Sequence, residues 1–168
     1  MAKKTPPIVQ EGHAALRAVA KPVAEKEFGS PALLQLIEDM RAALATREDG
    51  IAIAAPQIGV EKRVFVLAPR AADLFKNEPA MVYINPEILR RSRDRKLVEE
   101  GCLSVPGRYG KIRRSTRAAI HAFDEHGNGF VAEGAGLLAQ IYQHETDHLD
   151  GRLFIDEAKS IYPSPEAK

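Results

Sequence analysis

Residues 137–151 read LLAQIYQHETDHLDG, and the reading of this stretch decides the rest. Leu137, Ile141, His144 and His148 fall at i, i+4, i+7 and i+11, so they form one stripe on a helix. The spacing predicts a helix from about residue 135 to about 149, with Gly151 as its stop. A core-facing stripe would continue with apolar side chains, but this one ends in two imidazoles. Four residues apart on a helix means about 40° of rotation and roughly 6 Å of rise, so both rings can reach one metal ion. Glu145 lies at the flank of the stripe, placed to meet a water without ligating the ion itself. This is an H-E-x-x-H arrangement, two ligands and an acid/base on one rigid element.

Two imidazoles do not complete a hydrolytic centre, which takes three protein ligands and keeps one open position. A third His six residues after His148 is not available, because that position is Phe154. Asp156 and Glu157 follow closely but are poorly placed. The remaining soft donor is Cys102, in Glu100-Gly101-Cys102-Leu103-Ser104-Val105-Pro106-Gly107, and it would make an SN2 ligand set. Taken alone, Cys102 also reads as a small buried hydrophobe.

The 168 residues (18.4 kDa) suit one domain, 1–168, with Pro163 and Pro165 making about 157–168 a flexible tail. The 24 Lys and Arg nearly cancel the 23 Asp and Glu, which argues against a dedicated nucleic-acid binder and gives no reason to expect a DNA partner. No apolar run is long enough for a membrane span, and MAKKTPPI at the start lacks the apolar core of a signal peptide. One cysteine closes no intrachain disulfide, which fits the reducing cytoplasm. A monomer is expected.

Ser30 and Pro31 start a second, earlier helix over 31–46, with Leu33, Leu34, Ile37, Met40 and Leu44 at helical spacing. Residues 64–67, 82–84, 118–123 and 130–131 read as strands, the last two joined by a turn at 125–129. Helix, strands and helix in that order indicate an α+β domain, small mixed or antiparallel strands around the C-terminal helix plus an N-terminal helix. The basic run Arg90, Arg91, Arg93, Arg95 and Lys96 reads as a solvated strand edge, with RNA contact as the functional alternative. Glu100 is expected to pair with Arg114 behind the metal ligands, and Gln140 to sit at the edge of the stripe, facing water or altering the pocket. His13, His121 and His126 are expected to be structural or solvated.

The segment Gly50-Ile51-Ala52-Ile53-Ala54-Ala55-Pro56-Gln57-Ile58-Gly59 is small and apolar with one amide, Gln57. By itself it reads as a buried strand. Together with the other two segments, in this order, it resembles peptide deformylase, whose patterns are G-x-G-x-A-A-P-Q, E-G-C-L-S and Q-H-E-x-D-H. The chain has GIAIAAPQ at 50–57, EGCLS at 100–104 and QHETDH at 143–148. The one departure is Ala52, where the family has a glycine. A positive φ there would strain an alanine, whereas a close approach to substrate would tolerate one methyl; retained activity is expected.

The resemblance implies removal of the formyl group from the N-terminal formyl-methionine of new polypeptides, with transient ribosome contact. It implies Fe²⁺ as the native metal, with Zn²⁺, Ni²⁺ or Co²⁺ able to occupy the site. Cys102, His144 and His148 become the ligands, Glu145 the general acid/base, and Gln57 and the Leu103 N–H the donors to the formyl oxygen. Gly50, Ile51, Ala52 and Gly101 would flank the peptide, and Leu137 and Ile141 would line the methionine pocket. The alternatives are a metal amidase or peptidase of the same fold with another acyl substrate, and an inactive metal-binding relative. A thiolate on Fe²⁺ is open to oxidation. Iron-loaded protein is expected to lose activity in air while nickel-loaded protein keeps it; equal decay of both forms would count against Cys102 as an iron ligand.

Overall fold

The computed structural model describes residues 4–76 and 79–165. Its first helix, α1 (Pro31–Ala45), starts where Ser30 Oγ accepts from the Leu33 N–H at 3.2 Å and Pro31 occupies the first turn. Strands β1 (Ala52–Ala54), β2 (Val64–Leu67), β3 (Val82–Arg91), β6 (Arg117–Phe123) and β7 (Gly129–Ala135) form an antiparallel sheet in the order β1-β2-β3-β6-β7. A one-turn helix, α2 (Ala71–Leu74), connects β2 toward β3. Strands β4 (Arg95–Cys102) and β5 (Val105–Ser115) leave the sheet as a long hairpin between β3 and β6, and β8 (Ser160–Pro163) adds to the far side of β5. Helix α3 (Leu137–Leu149) runs between the two sheets.

Val64-Phe65-Val66-Leu67 is apolar at every position because both faces of β2 are covered. Val64 and Val66 pack with Leu33, Ile37, Met40 and Leu44 of α1. Phe65 and Leu67 pack with Leu138, Ile141, Tyr142 and Leu149 of α3. Phe65 stacks on Tyr83 (4.4 Å between ring centres), and the Tyr83 and Tyr142 hydroxyls bond to each other at 3.1 Å, so the one polar pair in this layer satisfies itself. Gly151, at φ +74°, ends α3 as expected, with its N–H donating to the His148 carbonyl. An added Cβ there would lie 2.5 Å from the Arg17 carbonyl oxygen.

Two expectations change. The stretch 157–168 is not simply a frayed tail: Ser160–Pro163 pairs with Arg108–Lys111, and Pro163 is tolerated because it sits at the end of an edge strand. Residues 166–168 lie outside the described residues, as do residues 1–3 at the start. The segment 50–59 is a strand only over β1; Ala55–Ile58 is a tight 3₁₀ turn. The basic run falls on the end of β3, the turn after it and the start of β4; the sequence reading had placed β3 only at 82–84 and had not delimited β4.

Asn85 is the one non-glycine residue with positive φ (49°) among the described residues. Its amide grips the Val23 backbone, accepting from the Val23 N–H at 2.8 Å and donating to the Val23 carbonyl at 2.9 Å. Asn85→Ala is expected to lower unfolding free energy by about 2 kcal/mol, through two lost bonds and the left-handed backbone. Urea unfolding of the metal-loaded protein measures this, and a loss below about 0.5 kcal/mol would mean that the two bonds hold nothing in place.

Candidate metal centre

Helix α3 is buried nearly all round although seven of its thirteen residues (Gln140, Gln143, His144, Glu145, Thr146, Asp147 and His148) are polar or charged, so each buried polar side chain must find a partner inside. Three of its faces do different things. Leu138, Tyr142 and Leu149 pack on the large sheet. Gln143 and Asp147 face β5: Gln143 accepts from the Ser115 N–H and donates to the Ser115 carbonyl, both at 3.0 Å, and Asp147 accepts from Arg114 at 2.7 Å. The third face carries Leu137, Ile141, His144 and His148 toward the turn of the β4–β5 hairpin.

That turn brings Cys102 to the helix. The Cys102 Sγ lies 3.3 Å from His148 Nε2, which lies 3.1 Å from His144 Nε2, and the three donor atoms fall within 4.8 Å of one another. Both imidazoles point the same nitrogen at the thiol. His144 is turned that way by Glu100, whose Oε1 accepts from His144 Nδ1–H at 2.5 Å and so leaves Nε2 free to ligate. Glu100 accepts three further bonds, two from the Arg114 guanidinium (2.6 and 3.0 Å) and one from the Gln140 amide (3.2 Å). The pairing with Arg114 is the one expected from the sequence. Burial works against this carboxylate, yet His144 and Arg114 hold its pKa down at about 2.

Glu145 is buried, and its Oε2 has no hydrogen-bond partner. Burial pushes its carboxyl up to about 7. A buried, unpartnered carboxyl oxygen beside one thiol and two converging imidazoles fits a divalent cation with a water next to it.

The other expected residues come to the same place. Gln57 is held by its own turn, its Oε1 accepting from the Ala54 N–H at 2.9 Å, which aims the NH₂ at Ser104 Oγ (3.3 Å) and Cys102 Sγ (3.6 Å). A cleft of about 430 Å³ is lined by Gly50, Ile51, Ala52, Gln57, Gly101, Cys102, Leu103, Leu137, Ile141, His144 and Glu145. His148 lies behind it, 1% exposed. Ala52 is in extended β1 without positive φ, so the strain reading of that position falls and close approach remains. Gly101 and Gly50 are equally tight on this side: an added Cβ would meet the Tyr109 ring at 2.7 Å in the first and the Leu44 side chain at 2.7 Å in the second. Gln140 lines the cleft but spends its NH₂ on the Glu99 carbonyl and Glu100. Phe154, at the position of the absent third histidine, packs with Val105, Ile112 and Leu153 under Cys102. Asp156 pairs with Arg17 and Glu157 faces Arg152, so neither joins the centre.

Sequence reasoning missed Gln143, Asp147 and Ser104. It also gave no role to the N-terminal segment, where the Val9 and Glu11 N–H groups donate to the Gln57 and Ser104 carbonyls (both 2.8 Å) and tie the two loops together.

The fold and the centre define a metal-dependent hydrolase. The family model for polypeptide deformylase matches residues 5–163, and the chain belongs to that family, whose members remove the formyl group from the N-terminal formyl-methionine of nascent polypeptides. A peptide deformylase of Pseudomonas aeruginosa is 44% identical over 148 residues, 87% of this chain and 82% of that protein. Among solved structures, the actinonin-bound class I type b peptide deformylase of Acinetobacter baumannii is 36% identical with a TM-score of 0.81, covering 94% of this chain and 100% of that one. The same enzyme with Met-Ala-Ser bound gives a TM-score of 0.80 over 92% and 100%.

Because Glu100 fixes the ring of His144, Glu100→Gln is expected to weaken metal binding by roughly 10–100-fold. Competition with a chromophoric chelator measures it. An unchanged affinity would remove Glu100 from the orientation of the ligand.

Proposed function

We propose that Cys102, His144 and His148 bind the catalytic cation of a deformylase reaction and that Glu145 is its acid/base, in one domain spanning residues 1–168. The observation that carries this reading is the convergence of three ligand atoms within 4.8 Å beside the unpartnered Glu145 Oε2. The cation is Fe²⁺, with Zn²⁺, Ni²⁺ or Co²⁺ able to take its place, as the resemblance of the three motifs suggests. A cation bound there supplies Lewis acidity toward a carbonyl oxygen and makes a neighbouring water more acidic.

The chain's own groups do the rest. Glu145 takes a proton from the attacking water and gives it to the departing amine, so that water and the formamide become formate and a free amino terminus. Gln57 Nε2 and the Leu103 N–H donate to the formyl oxygen as it gains negative charge, and losing one such donor typically costs ~3 kcal/mol in the transition state. Gly50, Ile51, Ala52 and Gly101 offer backbone and little side chain along the cleft, which suits an extended peptide. The Met-Ala-Ser bound to the related Acinetobacter enzyme supports that use. Leu137 and Ile141 supply the apolar wall for an unbranched methionine side chain. The same reading makes the enzyme a cytoplasmic monomer in transient contact with the ribosome.

Glu145→Gln is expected to bind the cation as tightly as the unchanged protein and to release formate from a formyl-Met dipeptide about 10²–10⁴-fold more slowly. Near-normal turnover would sink the role given to Glu145. The unchanged protein should leave acetyl-Met largely uncleaved. Equal rates on the two substrates would favour a broader amidase, and bound metal without any formate would favour an inactive relative.

A further inference from the structure

The net charge of +1 conceals a segregation along the chain. Residues 90–117 hold ten Lys and Arg against three Asp and Glu, whereas the rest of the chain holds 14 against 20. The strand register gathers the basic stretch at one end of the hairpin: Arg91 lies opposite Ala118, Arg95 opposite Ser115 and Leu97 opposite Arg113. Arg91, Arg93, Arg95, Lys96, Arg113 and Arg117 are all exposed there. None of the six forms an ion pair among the described residues, although Arg90 and Arg108 of the same stretch pair with Glu133 and Glu11, and Arg17 and Arg63 elsewhere pair with Asp156 and Asp150. Charges kept merely for solubility would be balanced by acids; here the one acid set among them, Asp94, accepts from the Thr116 hydroxyl at 3.0 Å and forms no ion pair with the six.

A cavity of about 210 Å³ opens at the same place, with Arg91, Arg95 and Arg152 on its exposed side and Arg114 and Asp147 on its buried side. Its two carboxylates are already engaged: Asp147 by Arg114 and Arg152, and Glu157 by Arg152. Five of the six free cations are arginines, whose planar forks match phosphate oxygens better than an ammonium does. No aromatic side chain lies among residues 90–98 or 110–117 to stack on a base, so recognition would stop at the backbone.

We propose that this arginine face binds the phosphate backbone of RNA without regard to sequence. It goes beyond the hydrolase reading and does not rest on it. The face lies against Gln143 and Asp147 of α3, while Leu137, Gln140, Ile141 and His144 line the cleft, so a docked RNA leaves the peptide entrance open.

The test is fluorescence anisotropy of a labelled RNA hairpin titrated with the metal-loaded full chain at several salt concentrations. Binding on the order of 10 μM at physiological salt is expected, weakening linearly on a log–log plot as salt rises. The triple variant Arg91→Gln, Arg93→Gln, Arg95→Gln should bind at least about tenfold more weakly, with a salt slope shallower by about two. Removing three exposed cations elsewhere (Lys21→Gln, Lys26→Gln, Arg41→Gln) should change binding by less than about twofold if the patch rather than the net charge is read. Formate release from a short free formyl-methionyl peptide should be the same in all three proteins. The proposal is overturned by absent binding at low salt, by equal losses in the two triple variants, by tighter binding to anionic phospholipid vesicles than to RNA, or by a parallel loss of formate release in the arginine variant.

Discussion

One buried carboxylate holds this structure's chemistry in place. Glu100 accepts from His144, twice from Arg114 and once from Gln140, and so joins the hairpin strands β4 and β5 to helix α3 at the level of the Cys102, His144 and His148 cluster. The cluster is not an obvious gain in stability. Taking ions out of water costs several kcal/mol each, and a well-packed apolar substitute is often as stable. What the carboxylate provides is orientation. It fixes which nitrogen of His144 carries the proton, and the Arg114–Asp147 bond on the other side fixes how the helix sits against the hairpin. Removing one partner would leave a charge buried and unpaired, at about 3–5 kcal/mol, which makes the arrangement hard to relax into any other.

Helix α3 follows from the same constraint. A helix buried on all sides is ordinarily apolar on all sides. Here the apolar residues suffice for one face only, against Phe65, Tyr83 and Ile120 of the sheet. On the remaining faces burial is tolerable because each polar group is matched. Gln143 bonds the Ser115 backbone much as a neighbouring strand would, and Thr146 Oγ1 donates back to the Tyr142 carbonyl at 2.7 Å. Against that background the two unmatched atoms stand out. Glu145 Oε2 and His148 Nδ1 are the buried side-chain atoms without a partner among the described residues, and both belong to the H-E-x-x-H stretch. The helix is satisfied everywhere except beside the thiol and imidazole cluster.

This also explains how far the sequence could be read. His144, Glu145 and His148 were legible because a single helical period places them together. Helix α1 and strand β2 were legible because their burial follows one simple rule each, a stripe in the first and a continuous run in the second. Cys102 came only by elimination, since no local pattern ties it to a helix 42 residues away. The β4–β5 hairpin was not delimited because its inward face alternates Val98 and Ile112 with Glu100 and Arg114, so the apolar alternation that marks a strand is broken by the charges the site needs. Gln143, Asp147 and Ser104 were silent for a related reason: their partners are a backbone, a guanidinium and an amide that only the tertiary structure brings within reach.

Net charge was taken to weigh against a nucleic-acid role, and as an average it does. An average over 168 residues, however, cannot distinguish interspersed charges from a basic hairpin set on an acidic remainder. At physiological ionic strength the screening length is about 8 Å, so a docking partner responds to the charges within a patch and hardly to those across the molecule. What decides is therefore the register, which sets Arg91, Arg95, Lys96, Arg113 and Arg117 at one exposed end of the hairpin, and the pairing, which leaves those cations without a carboxylate while Arg90, Arg108 and Arg114 of the same stretch are taken by Glu133, Glu11, Glu100 and Asp147. Neither is visible in a composition, and both follow once the strands are placed.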